Sequence, residues 1–299
     1  MRKIDLVIHC QTGYNTVTKN EKRIQEFFVM KKKILSAVFG LALIASLSGQ
    51  ALAAESSMVR VGDTPIQMDV APQIIDGTMF VAYPYVVRAL YPDAAITWEN
   101  GGAMVRDDGL ELFLQPGSRY LVCNGRYLFT AEPLFIKGTE VMVPLRLLCQ
   151  ALGAGVEWDA SCGVATLTPG SAPILSGDLY YDQDALYWLS RIINAESGNQ
   201  SLEGKIAVGN VVMNRVESPL FPDTIKGVLY QRNQFSPVQN GSIWLTPNAE
   251  SVVAAKLVLD GANTAGDSLY FVNPRLAPNS WASRNRAFVA TIGAHAFFA

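Results

Sequence analysis

Beyond residue 181 the apolar positions fall first at helical spacing and then at alternating spacing. Between Asp182 and Glu196, Leu186, Leu189, Ile192 and Ile193 recur every three or four residues, which predicts one buried helical face. The run breaks at Ser197-Gly198. Further helices are predicted at about 202–216, 223–231 and 247–260, the last with Pro247 in its opening turn. Strand signals follow at 268–272, then at 286–291 and 294–298, which would pair as a hairpin across Ile292-Gly293. Residues 182–299 thus read as α+β, mostly helical with a small antiparallel sheet.

Residues 56–168 carry an internal repeat. Ile75-Asp76-Gly77-Thr78 returns as Ile136-Lys137-Gly138-Thr139, Pro84 as Pro144, and Ile96-Thr97-Trp98 as Val156-Glu157-Trp158. Each unit of about sixty residues predicts a Gly turn, a strand ending at Pro, a short helix and two further strands. Two copies make a duplicated α+β domain, too few for a solenoid. Thr168-Pro169-Gly170-Ser171-Ala172-Pro173 opens a linker, 169–181.

The chain begins with an export pattern. Lys31-Lys32-Lys33 precedes an apolar run to about Leu47, and Ala51-Leu52-Ala53 has the Ala-x-Ala form of a signal-peptidase site. Residues 30–53 are expected to be a signal peptide, and residues 1–29 to reflect a start assigned too early, because Met30 directly precedes the lysines. The apolar run is too short to span a bilayer comfortably, so a secreted protein without a membrane anchor is expected. The formal net charge is −2, more acidic once the basic leader is removed, which speaks against nucleic-acid binding.

Glu196 is the leading candidate for chemistry. At a helix C-terminus the dipole opposes its ionisation, and an apolar cleft would keep it protonated at neutral pH, as a general acid requires. On position alone such a residue is more often solvated surface. Elimination narrows the field. The histidines are His9, in the leader segment, and His295, read as a structural hydrogen-bonding residue, so a zinc site is not expected. All four cysteines precede residue 163, which argues against a Cys-His peptidase, and no phosphate loop occurs. Asp182, Asp184, Glu203 and Asp223 read as helix-start residues rather than second catalytic carboxylates.

Motifs around Glu196 extend the reading. Ala195-Glu196 is followed by Val208 to Val216, which includes Asn214-Arg215-Val216, then by Phe221-Pro222-Asp223-Thr224-Ile225-Lys226-Gly227-Val228 and Gln234-Phe235-Ser236. Gly241 to Trp244, Leu269 to Pro274 and Ile292 to Phe298 complete the series. In this order they resemble the cell-wall hydrolases of the spore cortex-lytic enzyme type, over residues 182–299. The resemblance implies a lysozyme-like fold and cleavage of peptidoglycan strands between N-acetylmuramic acid and N-acetylglucosamine, with Glu196 as the catalytic glutamate. It further implies a lytic transglycosylase that uses one carboxylate, with plain muramidase hydrolysis, a non-catalytic peptidoglycan-binding protein and an amidase as alternatives. No cofactor or accessory protein is implied. Asn214, Gln234, Phe235, Ser236, Tyr270 and Asn273 are candidates to bind the glycan; Phe235 and Tyr270 read equally as core, and Asn214 as capping polarity. Whether the substrate is spore cortex, opened in germination, or vegetative wall stays open.

The second unit of the repeat, Val141-Met142-Val143-Pro144-Leu145-Arg146 and Ala151 to Asp159, is similar to the copper amine oxidase N-terminal-like stalk domain. Copper is not implied, because the segment lacks His. It reads as a spacer or wall-targeting module. Of its Cys123, Cys149 and Cys162, a Cys149–Cys162 disulfide with Cys123 free is the expected arrangement.

Overall fold

Gly turns, hairpins and short helices build the first part of the computed structural model, which describes residues 58–299; the predicted signal peptide and the early-start segment lie outside the described residues. After β1 (Val59–Val61) and β2 (Thr64–Pro65), β3 (Gln73–Ile75) and β4 (Thr78–Ala82) turn through Asp76-Gly77 and feed α1 (Tyr83–Leu90), β5 (Ala95–Glu99) and β6 (Gly102–Asp107). A meander of β7 (Leu110–Leu114), β8 (Tyr120–Cys123) and β9 (Arg126–Phe129) follows. The first succession then returns as β10 (Phe135–Lys137), β11 (Glu140–Pro144), α2 (Leu145–Ala151), β12 (Gly155–Asp159) and β13 (Val164–Thr168). The equivalent strands β4 and β11 pair antiparallel, Val81 opposite Val143 and Ala82 opposite Met142, at the centre of a sheet ordered β10-β11-β4-β3. The two like units thus meet through their equivalent strands. Pro84 does not end a strand, as expected, but sits in the first turn of α1, where its fixed φ suits a helix start.

The expected Cys149–Cys162 disulfide does not form. Cys149 faces inward from α2 and Cys123 from β8, both in the apolar core, whereas Cys162 is exposed in the turn between β12 and β13. The residues are close in sequence but lie on opposite sides of the core boundary. Nor is the linker a free tether. The Ile174 amide donates to the Ala151 carbonyl at 3.2 Å, and Asn124 Nδ2 donates to the Ile174 carbonyl at 3.0 Å.

The chain continues through a short α3 (Gly177–Tyr180) into α4 (Gln183–Ser197), where the Asp182 side chain caps the Ala185 amide at 2.8 Å. Ser201 likewise caps α5 (Leu202–Glu217). The helix expected at 223–231 is shorter, α6 (Ile225–Leu229), and Thr224 rather than Asp223 is its cap. After α7 (Ser236–Asn240) and a 3₁₀ turn at Ser242–Trp244, α8 (Ala249–Leu259) starts beyond Asn248, whose side chain takes the cap role, so Pro247 precedes the helix. The remainder is β14 (Tyr270–Val272), α9 (Trp281–Asn285), β15 (Phe288–Ile292) and β16 (His295–Phe298). The hairpin turns at Gly293-Ala294, with Ile292 opposite His295, one residue later than the pattern predicts.

Helices α4, α5 and α8 share a core that includes Ile192, Ile193, Val212, Ala254 and Leu257, all fully buried. Burial of each large side chain contributes about 1.5–3 kcal/mol. The crossing is close because Gly209 has no side chain: a Cβ there would lie 2.9 Å from both Ile193 Cδ1 and Val258 Cγ2. Tyr120, Tyr127 and Phe129 of the meander pack against the same core. Beside them Asp260, just past α8, accepts hydrogen bonds from Arg126 of β9 and from the Tyr181 hydroxyl. Met58–Ala299 is accordingly one compact unit, α+β throughout.

Candidate active site

Glu196 is the penultimate residue of α4, and the end of that helix is clamped from outside. Asn194 Oδ1 accepts from the Asn248 amide at 3.0 Å, and Asn248 Nδ2 returns a bond to the Gly198 carbonyl at 3.1 Å. The C-terminus of α4 is thereby tied to the start of α8. Ser197 turns inward and donates to the Ile193 carbonyl at 2.7 Å, which leaves Glu196 on the open side.

There the half-buried Glu196 lines a cleft of about 720 Å³. Burial alone raises its carboxyl pKa above the ordinary value, because the ionised form loses hydration that no neighbour replaces. Its carboxylate has no hydrogen-bond partner among the described residues. Among the described residues lining the cleft, Glu196 is the only acidic one. The other carboxylates considered from sequence are elsewhere: Asp182 caps α4, Asp184 accepts from the Trp188 indole at 3.1 Å, and Glu203 and Asp223 are exposed outside the cleft.

Of the predicted glycan-binding residues, Gln234, Phe235, Ser236, Tyr270 and Asn273 line this cleft with Glu196. Phe235 is both wall and core, 2% exposed, between the exposed Gln234 and Ser236. Asn214 is not brought there. Its Nδ2 donates to the carbonyls of Gly266 and Ser268 at 2.8 and 3.0 Å and so fixes the loop that precedes β14.

Its neighbour Arg215 lines the cleft instead, and sequence reasoning missed it. Nε donates to the Leu269 carbonyl at 2.7 Å, and the guanidinium lies 4.9, 5.2 and 5.4 Å from the ring centres of Phe221, Phe235 and Tyr270. Trp281, on α9, is a second omission: it is exposed, lies against Tyr270 at 5.5 Å between ring centres, and lines the cleft. An aromatic residue isolated in the polar stretch 275–286 is the signal that could have found it.

His295 also reaches the cleft wall, but not as the hydrogen-bonding residue expected. Its ring packs edge-on against Phe271, Nδ1 is buried without a partner, and burial lowers its pKa, so the ring is neutral at pH 7. The hairpin that carries it is held by Gln200, whose Oε1 accepts from the Ala294 amide at 3.0 Å. Gly293 lets the side chain approach: its φ is +58°, and a Cβ there would come within 2.5 Å of Gln200 Oε1.

A larger hollow, of about 980 Å³, lies between the meander and the linker. Of its charged residues, Arg106, Asp108 and Glu111 are exposed and Asp107 is partly exposed, and among the described residues it assembles no fully buried acid or base. The smaller cleft, which holds Glu196, is therefore the candidate site.

Comparison with known proteins agrees on the two parts of the chain. Residues 199–298 match the Cell Wall Hydrolase family, and residues 60–167 match the copper amine oxidase N-terminal domain. The spore cortex-lytic enzyme of Oceanobacillus iheyensis is 33% identical over 128 residues, 43% of this chain and 46% of that protein. That of Bacillus cereus is 33% identical over 117 residues, 39% of this chain and 45% of that protein. The chain therefore spans less than half the length of these curated relatives. A solved structure, the catalytic domain of the germination-specific lytic transglycosylase SleB from Bacillus anthracis, is 32% identical, with 42% of this chain and all of that one covered and a TM-score of 0.38.

Proposed function

We propose that this chain, whose residues 199–298 belong to the cell wall hydrolase family, is an exported enzyme that cleaves peptidoglycan glycan strands as a lytic transglycosylase. The observation that carries the proposal is a half-buried Glu196 with a raised pKa, the sole carboxylate among the described residues along a cleft lined with aromatic and amide side chains. Aromatic faces and side-chain amides suit a sugar polymer, and a lone carboxyl whose pKa burial raises suits a mechanism that needs no second carboxylate as the base that activates water.

The protonated Glu196 donates its proton to the oxygen linking C1 of N-acetylmuramic acid to the next sugar, and the C1–O bond breaks. The resulting carboxylate then accepts the proton of the C6 hydroxyl on the same muramic acid as O6 bonds to C1. A 1,6-anhydro ring forms, no water is consumed, and Glu196 ends protonated for the next cycle. Burial serves the first half of the cycle by favouring the protonated form; the desolvated carboxylate serves the second as a stronger base.

The substrate lies outside the cytoplasmic membrane, in keeping with the export signal read at 30–53, and the named relatives direct attention to spore cortex during germination. The test is digestion of purified cortex and vegetative peptidoglycan by the full chain and by Glu196→Gln, with fragments identified by mass spectrometry. Anhydro-muramic ends from the parent alone are expected. Fragments from both proteins would remove Glu196 from the chemistry, and fragments from neither would leave a binding protein.

A further inference from the structure

Arg215 is a buried cation whose counter-charge is missing. The residue is 5% exposed, yet no carboxylate lies within 4.0 Å of it among the described residues, and Nη1 is enclosed without any hydrogen-bond partner. A guanidinium removed from water normally recovers the loss through a carboxylate, and often through two parallel hydrogen bonds. Here the backbone takes Nε, and three aromatic rings supply the rest of the shell. Burial pushes the pKa down to about 10, which leaves the group charged at neutral pH.

Its place in the molecule says where the missing anion comes from. Arg215 is the only Arg or Lys lining the Glu196 cleft among the described residues, and His295 across the wall is neutral. Nη2 makes no hydrogen bond and is not enclosed, so it is the nitrogen left to face the cleft. Arg286 adds a second positive charge near by: its Nη2 donates to the Tyr270 hydroxyl at 3.2 Å, and the Tyr270 ring centre lies 5.4 Å from the Arg215 guanidinium and 5.0 Å from that of Arg286. Carboxylates are what peptidoglycan has and a plain N-acetylglucosamine polymer lacks. They occur on the lactyl group of muramic acid where no peptide is attached, and along the stem peptide where one is.

We propose that Arg215 binds a carboxylate of the substrate strand and so sets which muramic residues enter the cleft. The inference builds on the glycan-cleaving reading, and it concerns recognition rather than bond cleavage. A substrate carboxylate completes the shell of a charge the fold leaves unpaired, and the aromatic rings around it hold the guanidinium in place before the strand arrives.

Binding tests this without cleavage. The full chain carrying Glu196→Gln is titrated with soluble glycan strands that retain their stem peptides, with strands stripped by an amidase to expose lactyl carboxylates, and with both after conversion of carboxylates to methylamides. Methylamidation is expected to weaken binding at least tenfold for the strand whose carboxylate is read, which distinguishes stem from lactyl as its source. In the Glu196→Gln, Arg215→Gln double variant the effect should vanish, and with Arg215→Lys most of it should remain. Equal binding before and after methylamidation overturns the proposal even if no Arg215 variant folds, because that comparison needs none. A methylamidation effect that persists undiminished in the Arg215→Gln variant overturns it as well. Failure of the parent to cleave while the carboxylate preference holds would count against the catalytic reading alone.

Discussion

The contact between the duplicated domain and helices α4, α5 and α8 can be broken at one atom group. Asp260 is 1% exposed in its side chain and accepts Arg126 Nε at 3.1 Å, Arg126 Nη2 and the Tyr181 hydroxyl; the Arg126 side chain is 11% exposed. Asp260→Asn leaves a buried guanidinium without its anion, a loss of about 3–5 kcal/mol for a pair of this kind. Tyr180, stacked 3.4 Å from the guanidinium carbon, retains about 1 kcal/mol of that as a cation–π contact. A net cost of about 3 kcal/mol is expected, and in a unit of this size about 2–4 °C per kcal/mol gives a Tm lower by roughly 6–12 °C. Scanning calorimetry of the parent, Asp260→Asn, Arg126→Met and an Arg126→Met, Asp260→Leu double variant is the assay. The parent should melt in one transition, and the double variant should cost less than the two single ones together, since no charge is left stranded. Two separate transitions in the parent, or an Asp260→Asn Tm within 1 °C of it, would refute the claim that this pair fastens the two parts together.

Glu196→Gln should abolish cleavage and yet stabilise the fold above neutral pH. The folded pKa of Glu196 lies above its unfolded value near 4.3, so the native state holds the extra proton between the two and stability falls as pH rises through that window. The gain in Tm from Gln should appear above the window and disappear below about pH 4; a gain equal at all pH values would contradict the burial argument. Gly209→Val should overpack the α4–α5–α8 crossing and cost about 1–3 kcal/mol, read by urea denaturation, whereas an unchanged midpoint would mean the helices are not locked there. Among Cys123, Cys149 and Cys162, a thiol reagent should modify only the exposed Cys162 in the folded chain, because burial pushes the other two thiols up to about 12. Peptide mapping that finds Cys149 labelled equally fast would contradict its placement in the core.

How much of this could be read from sequence depended on whether a feature is local. The amphipathic face of α4, its Asp182 cap and its end beyond Glu196 depend on spacing within one element, and the pattern carried them. The cap of α6 moved from Asp223 to Thr224 because both residues accept hydrogen bonds equally well in sequence, and only the backbone geometry chooses. The meander β7–β9 sits outside the repeat, so the comparison of the two units passed over it, although Leu110, Leu112 and Leu114 alternate as a half-buried strand should. Asn214 and Arg215 are neighbours in one motif, but a helical step of 100° separates their directions, so one ties a loop and the other faces the cleft. The disulfide expectation failed for a related reason, since proximity along the chain says nothing about which side of a core each thiol faces.

The central claim is that a single carboxylate cuts the strand without water. Digestion of purified peptidoglycan by the full chain in water enriched in heavy oxygen tests it directly, with every product end weighed by mass spectrometry. Anhydro-muramic ends that carry no heavy oxygen, absent from the Glu196→Gln digest, are the predicted result. Reducing muramic ends that have gained one heavy oxygen would show that water attacks the sugar, and would contradict the account.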